Sequence, residues 1–328
     1  MDNYDLYIVK CKKLLNRFIS ISRFFCKTSC NLDGLAQILI GKISGDESKE
    51  AKLEIRNSYD YDYFAFAKSV KTLLSIRTLL NSQPALVEDS FSLIRTILEN
   101  HIYSRYVREN IDNVGEIEKV IKNTIMAPTG AAFDIYTYEK NTFIDENGEK
   151  IGLNPLPRNI VGRWDDVYFS ALYSFLCQFS HCNFAVLPYY LYDDKPLFFI
   201  DKENHVLLSY TLTIFSFTKV YEGIVTINGE DLFDGVKMKE YYDLNYDSLE
   251  LQQELFNYMI GYYNDLEITA VESAMQNYLF KGEVSGNPNR RIVTMLEKMK
   301  SSLNDNELGC IDKSQFENNK YKRQYQEW

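Results

Sequence analysis

The segment WDDVYFSALYSFLCQFSHCNF, residues 164–184, carries apolar side chains on nearly every face of the helix that its spacing predicts. A helix that is apolar all round is buried, so other elements must cover it. Other segments also show helical periodicity, such as residues 7–25, where apolar side chains recur at steps of three and four. The sequence therefore predicts a mainly α protein in which a helical bundle surrounds buried helices of this kind.

A turn signal interrupts the helical segments. Asn147-Gly148 stands between two short strand-like runs in TFIDENGEKIG, residues 142–152. Both central residues of a type I′ turn need positive φ, which Asn and Gly tolerate best. We therefore predict a small β-hairpin inserted among the helices, and a second short hairpin that turns at residues 202–204.

The predicted organisation has three parts. Residues 1–45 form an N-terminal basic amphipathic helix region, residues 46–303 form a helical core domain that contains the hairpin, and residues 304–328 form a polar tail. The predicted helices cover residues 7–25, 61–80, 85–109, 112–125, 164–184, 206–227, 247–280 with a break near Gly261, and 290–302.

Charge limits the classes of partner. The formal net charge is −10, so binding to nucleic acid requires a local basic patch rather than a uniformly positive surface. The first helix is the most basic segment of the chain. Its charged side chains indicate either a solvated outer face or a contact for an anionic partner, such as RNA or a membrane surface. The candidate contact residues are Lys10, Lys12, Lys13 and Arg17.

The sequence carries no signal for secretion, a membrane span or a cofactor. Its longest run without a formal charge, residues 167–192, contains polar residues and is broken by Pro188. The six cysteines show no framework spacing, which favours reduced thiols and a cytoplasmic location. No P-loop or GxGxxG motif is present, and no paired Cys or His spacing indicates a metal site. We therefore expect no cofactor and no metal.

Two helices carry polar stripes on one face, at steps of four, three and four. Buried polar groups need partners, and an arginine that is buried must be paired. We therefore predict that the stripes meet, so that Glu99 holds Arg95 and orients His181. The alternatives are a structural polar network, or an exposed Arg95–Glu99 ion pair with a lone core histidine. The stripes are Glu88, Ser92, Arg95 and Glu99 in one helix, and Ser170, Ser174, Cys177 and His181 in the other.

The pair of segments SLIRTILENHIYSRYV (residues 92–107) and YSFLCQFSHCNF (residues 173–184) resembles an uncharacterised bacterial helical family, domain of unknown function five-six-seven-seven. Members of that family carry an Arg and, one turn later, a Glu in one helix. A later helix carries a Leu-Ser-type run that ends in His. Arg95, Glu99 and His181 match this pattern, whereas Cys177 stands where the family has Ser.

That family is similar to the HEPN superfamily of helical bundles, many of which are metal-independent endoribonucleases of toxin–antitoxin and phage-defence systems. The superfamily motif, Arg followed after four to six residues by His, is matched by RTILENH, residues 95–101. In a regular helix His101 points about 120° away from Arg95, onto the apolar face, where a core or interface role is the alternative. The superfamily builds its site across a dimer, so the resemblance implies a homodimer.

The resemblance implies a defence-associated or toxin-type protein that cleaves RNA and leaves 2′,3′-cyclic phosphate ends. His101 or His181 would do the acid–base work, Arg95 would stabilise charge on phosphorus, and Glu99 would orient a histidine. The predicted polar network around them consists of Ser92, Ser174 and Cys177. A Cys177–His181 dyad is a second enzymatic alternative. The non-enzymatic alternative is a helical sensor or interaction module that binds a protein encoded in the same operon.

Overall fold

The structure is a computed structural model, and helices form most of the part that it describes. The predicted mainly α class with a small β-hairpin is confirmed. The described residues are 3–28, 56–109, 136–140, 142–153, 157–161, 167–180, 191–192, 195–196, 203–228, 235–266 and 289–303. The helices are α1 (Asn3–Thr28), α2 (Arg56–Leu80), α3 (Val87–Glu109), α4 (Pro157–Val161), α5 (Val167–Cys177), α6 (Glu203–Asn228), α7 (Gly235–Asp265) and α8 (Arg290–Ser301). A 3-10 turn, Gln178–Ser180, follows α5 directly.

The predicted hairpin is present and forms part of a three-stranded antiparallel sheet. Its strands are β1 (Thr137–Glu139), β2 (Thr142–Ile144) and β3 (Lys150–Leu153), in that order across the sheet. Gly148 has φ of +82°, the left-handed conformation that the turn requires. The side chain of Asp145 closes the turn, because its carboxylate accepts hydrogen bonds from the backbone N–H groups of Asn147 and Glu149.

The second predicted hairpin is wrong in its position. Glu203 is the first residue of α6, so residues 203–204 are helical rather than part of a turn between strands. The short antiparallel pair in this region instead joins β4 (Leu191–Tyr192) to β5 (Lys195–Pro196). Likewise α7 begins at Gly235 rather than at residue 247, and it continues through Gly261 as far as Asp265. The predicted helix at residues 112–125 lies outside the described residues.

The chain divides into two compact units. The first contains Met1–Ser22, Ser69–Leu98 and Asp166–Trp328, and the second contains Arg23–Lys68 and Glu99–Asp165. The three parts expected from sequence stay a prediction, because the boundary at residue 45 and the tail after residue 303 lie outside the described residues.

In the first unit, α6 is buried on every face over residues 206–224. It packs against α7, α7 packs against α8, and α8 packs against α5. Aromatic rings join α1 and α7 to α6. Phe18 meets Tyr221 edge-on with ring centroids 4.9 Å apart, and Tyr221 stacks on Tyr241 at 3.8 Å. The part of the chain that is described holds no helix long and apolar enough to cross a membrane.

Three buried threonine hydroxyls of α6 find partners inside the helix, and one of them also contacts α7. Thr211, Thr213 and Thr218 each donate to the carbonyl four residues earlier, at 2.6–2.8 Å. The hydroxyl of Thr218 also lies 2.7 Å from that of Ser248, and the Gln252 amide donates to both. Because buried polar groups cost free energy unless they are bonded, these pairs make a polar core helix tolerable.

The second unit has its own aromatic and polar contacts. Phe25 meets Phe66 edge-on, with ring centroids 5.4 Å apart, and lies 6.1 Å from the ring of Tyr63. The buried hydroxyl of Ser104 donates to the carboxylate of Asp62, which is also buried. The α2 and α3 segments of this unit are therefore joined by a hydrogen bond to a charged group.

Candidate functional site at the end of helix α5

Arg95 reaches from α3 to the end of α5. Its guanidinium donates to the hydroxyl of Ser180 at 2.9 Å and to the phenol oxygen of Tyr173 at 3.2 Å. The same guanidinium lies 5.3 Å from the centroid of the Tyr173 ring, within the range of a cation–π contact. Two hydroxyls and one aromatic ring therefore fix the planar cation at this helix end.

The neighbours of Arg95 on α3 hold the two helices together at this point. Ser92 donates to the backbone carbonyl of Phe179 at 3.0 Å. The Phe91 ring packs against those of Phe175 and Phe179, with centroids 5.4 Å and 4.6 Å apart. The two segments that the sequence paired, one on α3 and one on α5, do contact each other. Phe91 supplies the apolar part of this contact, and Ser92 with Arg95 supplies the polar part.

The contacting face of α5 differs by one residue from the predicted stripe. Arg95 binds Tyr173 and Ser180, which are seven residues apart and therefore share a face of a regular helix. The predicted stripe instead contained Ser174.

A second arginine binds the same stretch from another helix. Arg291 of α8 donates to the hydroxyl of Ser174 at 2.9 Å. Its guanidinium also lies 2.5 Å and 2.9 Å from the Gln178 amide, whose oxygen accepts in the orientation that satisfies both groups. Two guanidinium groups thus contact one eight-residue stretch at the C-terminal end of α5. Positive charge is favourable there, because the last carbonyl groups of a helix carry partial negative charge.

The other predicted site residues have different surroundings. His101 is buried with 5% of its surface exposed, and it belongs to the second unit, as does the half-buried Glu99. Cys177, the last residue of α5, is half-buried. His181 lies outside the described residues, although it follows Ser180 directly in the chain. The predicted grouping of Arg95 and Glu99 with His181 therefore stays a prediction.

The basic face of α1 is partly neutralised within the chain. Lys10 forms an ion pair with Glu254 at 2.5 Å, and Arg17 forms one with Asp247, also at 2.5 Å. Both carboxylates belong to α7. The remaining two candidates for an anion contact, Lys12 and Lys13, are exposed. Two of the four predicted contact residues thus serve packing of α1 against α7, and the other two face solvent.

A buried ion pair on α6 was not predicted from the sequence. The amine of Lys219 lies 3.7 Å from the carboxylate of Glu222, and the two side chains are 11% and 3% exposed. The amine also lies 5.8 Å from the centroid of the Tyr168 ring and 5.6 Å from that of Phe215. The sequence could have predicted this pair, since Lys219 and Glu222 are the only charged residues in residues 206–227 and stand one turn apart.

Chemically, the end of α5 offers two guanidinium donors beside hydroxyl groups, a set suited to binding phosphate or carboxylate. The described ranges contain no group of three His, Cys, Asp or Glu side chains placed to hold a metal ion. No family model, curated protein or solved structure matches the chain. The resemblance to the HEPN-like family therefore stays a prediction.

Proposed function

We propose that the protein is a HEPN-like defence or toxin-type endoribonuclease that needs no metal and acts at the C-terminal end of α5. The observation that supports this most directly is the contact between Arg95 and Ser180, the residue that precedes His181. Phosphodiester cleavage can use both residue types, since an arginine stabilises negative charge and a histidine transfers a proton.

In the proposed reaction a base takes the proton of the ribose 2′-hydroxyl, and the 2′-oxygen bonds to phosphorus. The bond from phosphorus to the 5′-oxygen breaks, and an acid protonates that oxygen as it leaves. The products are a 2′,3′-cyclic phosphate and a 5′-hydroxyl. Arg95 stabilises the charge on the phosphorane oxygens, and the hydroxyls of Ser180 and Tyr173 help to position its guanidinium.

His181 is the proposed acid–base residue of this site. The second acid–base residue is His181 of another copy in a homodimer, because His101 is buried at 5% exposure. A proton donor must come within hydrogen-bond reach of the oxygen that it protonates, and a buried ring does not meet an RNA strand in this conformation. The homodimer is thus part of the proposal.

The test is incubation of the purified protein with total RNA in EDTA, followed by analysis of the new RNA ends. We expect cleavage that leaves cyclic phosphate ends and that is lost in Arg95→Ala and in His181→Ala. Arg290→Ala, which removes an exposed arginine at the start of α8, is the control and retains cleavage. Intact RNA in the presence of a folded wild-type protein overturns the proposed reaction.

A second candidate function is a non-catalytic helical interaction module of a defence system. The burial of His101 favours it, as do the exposed apolar side chains Leu6 and Val9 on α1, which are 39% and 55% exposed. Such side chains can contact a protein partner. In that case no RNA is cleaved, and a protein encoded in the same operon co-purifies with the wild type but not with a Leu6→Ser, Val9→Ser double variant.

A further inference from the structure

A polar groove opens between α1 and the turn that follows α2. Its volume is about 470 Å³, which falls in the range of small-molecule sites. All of its lining residues belong to the first unit. They share one property, a side chain that hydrogen-bonds, and none of them is apolar or acidic; they are Asn16, Arg77, Thr78, Asn81 and Ser82.

Arg77 is held in this groove by a neutral partner. Its guanidinium donates to the side-chain oxygen of Asn16 at 3.1 Å. A guanidinium has five N–H donors in a fixed plane, so this bond orients the group and leaves most of its donors for other acceptors. An amide partner also leaves the positive charge in place, whereas the carboxylates on α7 neutralise Lys10 and Arg17.

The wall of the groove is built by a turn whose own polar groups are bonded. The backbone N–H of Asn81 donates to the carbonyl of Arg77 at 3.1 Å, and that of Ser82 donates to the carbonyl of Leu79 at 3.3 Å. The Ser82 hydroxyl lies 2.6 Å from the Leu79 carbonyl and 2.8 Å from that of Pro84. These bonds occupy the carbonyls at the end of α2, which otherwise repel an anion.

The two segments that supply the lining residues carry only positive charge. Residues 6–28 and 69–87 contain no Asp or Glu, although the whole chain has a net charge of −10. On α1 the exposed Lys12 and Lys13 stand four and three residues before Asn16, on the same side of the helix. A locally positive groove in an acidic protein concentrates anions at that point.

We infer that this groove binds a phosphate group carried by a ribose, either in a free nucleotide or at the 5′ end of an RNA strand. Arg77 contacts the phosphate, Lys12 and Lys13 add electrostatic attraction, and the amides of Asn16 and Asn81 meet ribose hydroxyls. None of the lining residues is aromatic, so a base has no ring on which to stack. The groove therefore recognises the phosphate and the ribose rather than the base. The groove shares no residue with the cluster around Arg95.

The test measures binding without cleavage. The probe is a labelled ten-nucleotide 2′-O-methyl RNA that carries a 5′-phosphate, since blocked 2′-oxygens cannot attack phosphorus. Its binding to the full chain is followed by fluorescence anisotropy, with the same oligomer bearing a 5′-hydroxyl as comparison. The inference rests on the proposed function only in the choice of an RNA probe. If the protein cleaves RNA but binds both oligomers equally, the inference about the groove is overturned and the proposed reaction is not.

Two variants separate a ligand role of Arg77 from a structural one. Arg77→Gln removes the charge, and we expect it to weaken binding about 10-fold or more. Asn16→Asp places a carboxylate against Arg77, which keeps the contact and the fold but neutralises the guanidinium, and we expect a similar loss. Lys298→Gln, on α8, is the matched charge control and leaves binding unchanged. Equal affinity in the wild type and in both groove variants, or no binding by the wild type, overturns the inference.

Competition then identifies the source of the phosphate. Uridine 5′-monophosphate that displaces the 5′-phosphorylated probe at similar concentration supports a free nucleotide as the natural occupant. If only an excess of the unlabelled phosphorylated oligomer displaces the probe, the 5′ end of an RNA strand is supported as the natural occupant. If inorganic phosphate competes as well as the nucleotide does, the ribose contacts are absent and that part of the inference is overturned.

Discussion

The guanidinium of Arg95 donates a 2.9 Å hydrogen bond to the hydroxyl of Ser180, a residue that lies 85 positions later in the chain. This bond joins the middle of α3 to the 3-10 turn that ends α5. It also fixes the chain at the residue directly before His181. The contact therefore links α3 to the last residue of the 3-10 turn.

We expect the Arg95–Ser180 contact to be energetically coupled. Hydrogen bonds to a charged group contribute about 1.5–3 kcal/mol, so Arg95→Ala should lower the free energy of unfolding by about that amount. Ser180→Ala should cost about 0.5–1.5 kcal/mol, and the double variant should cost less than the sum of the two. Urea unfolding of the wild type and the three variants measures this. Strictly additive losses would mean that the hydroxyl contributes nothing to holding the arginine.

Much of the fold follows from local sequence patterns. The α class follows from apolar side chains at steps of three and four. Asn147-Gly148 located the hairpin, but the predicted positive φ at both positions is wrong, since Gly148 has φ of +82° and Asn147 does not have positive φ. The early start of α7 was missed, since Asn245, in the segment before residue 247, is a polar residue at a buried position that the apolar pattern treats as exposed. Further along the helix, Ser248 and Gln252 are also buried, and both contact the hydroxyl of Thr218 on α6.

The candidate site follows from sequence only in part. A polar stripe on α3 is visible from spacing, and it identified Ser92 and Arg95 as residues that face another helix. Tyr173 and Ser180 were missed because the predicted stripe contained the residues one position later, Ser174 and His181, and an aromatic ring such as Tyr173 counts as apolar in the pattern. Arg291 was missed because its partner, Ser174, lies 117 residues earlier in the chain, and local periodicity does not indicate contacts between residues so far apart.

Cys11 should make the protein less stable in alkaline solution. Burial raises the pKa of its thiol far above the ordinary value, so the folded state keeps the proton when the unfolded state loses it. The unfolded state then binds fewer protons, and the free energy of unfolding falls as pH rises above about 9, where an exposed thiol ionises. The slope approaches about 1.4 kcal/mol per pH unit for one such group.

Chemical unfolding of the wild type and of Cys11→Ala between about pH 7 and about pH 11 measures this slope. We expect a shallower decline in the variant, whatever its stability at neutral pH. Burial also raises the pKa of the Tyr221 phenol, so Tyr221→Phe should remove a further decline that begins above about pH 10. Parallel curves for the wild type and Cys11→Ala would contradict the assignment of the slope to this thiol.

Two glycines should respond in opposite directions to the same substitution. Gly261 lies inside α7, and an added Cβ meets nothing within 4 Å, so Gly261→Ala should raise the free energy of unfolding by about 0.5–1 kcal/mol. A Cβ added at Gly148 also meets nothing within 4 Å, but this residue has φ of +82°. Gly148→Ala should therefore lower the free energy of unfolding by about 1–2 kcal/mol. Thermal and urea unfolding of the two variants test this. Equal effects at both positions would show that backbone conformation does not decide the result.

The buried Lys219–Glu222 pair should prove costly to break and inexpensive to replace. Lys219→Met leaves the carboxylate of Glu222 in an apolar setting without its cation, which typically costs about 3–5 kcal/mol. Replacing both residues with Met removes both desolvation penalties, and such exchanges are often neutral or stabilising by about 1–4 kcal/mol. We therefore expect the double variant to be more stable than either single variant in urea unfolding.

The paired control is Lys10→Met with Glu254→Met, an exposed ion pair whose loss should change stability by less than about 1 kcal/mol. A double α6 variant as unstable as Lys219→Met would show that the pair supports the packing of α6 through contacts that methionine does not supply.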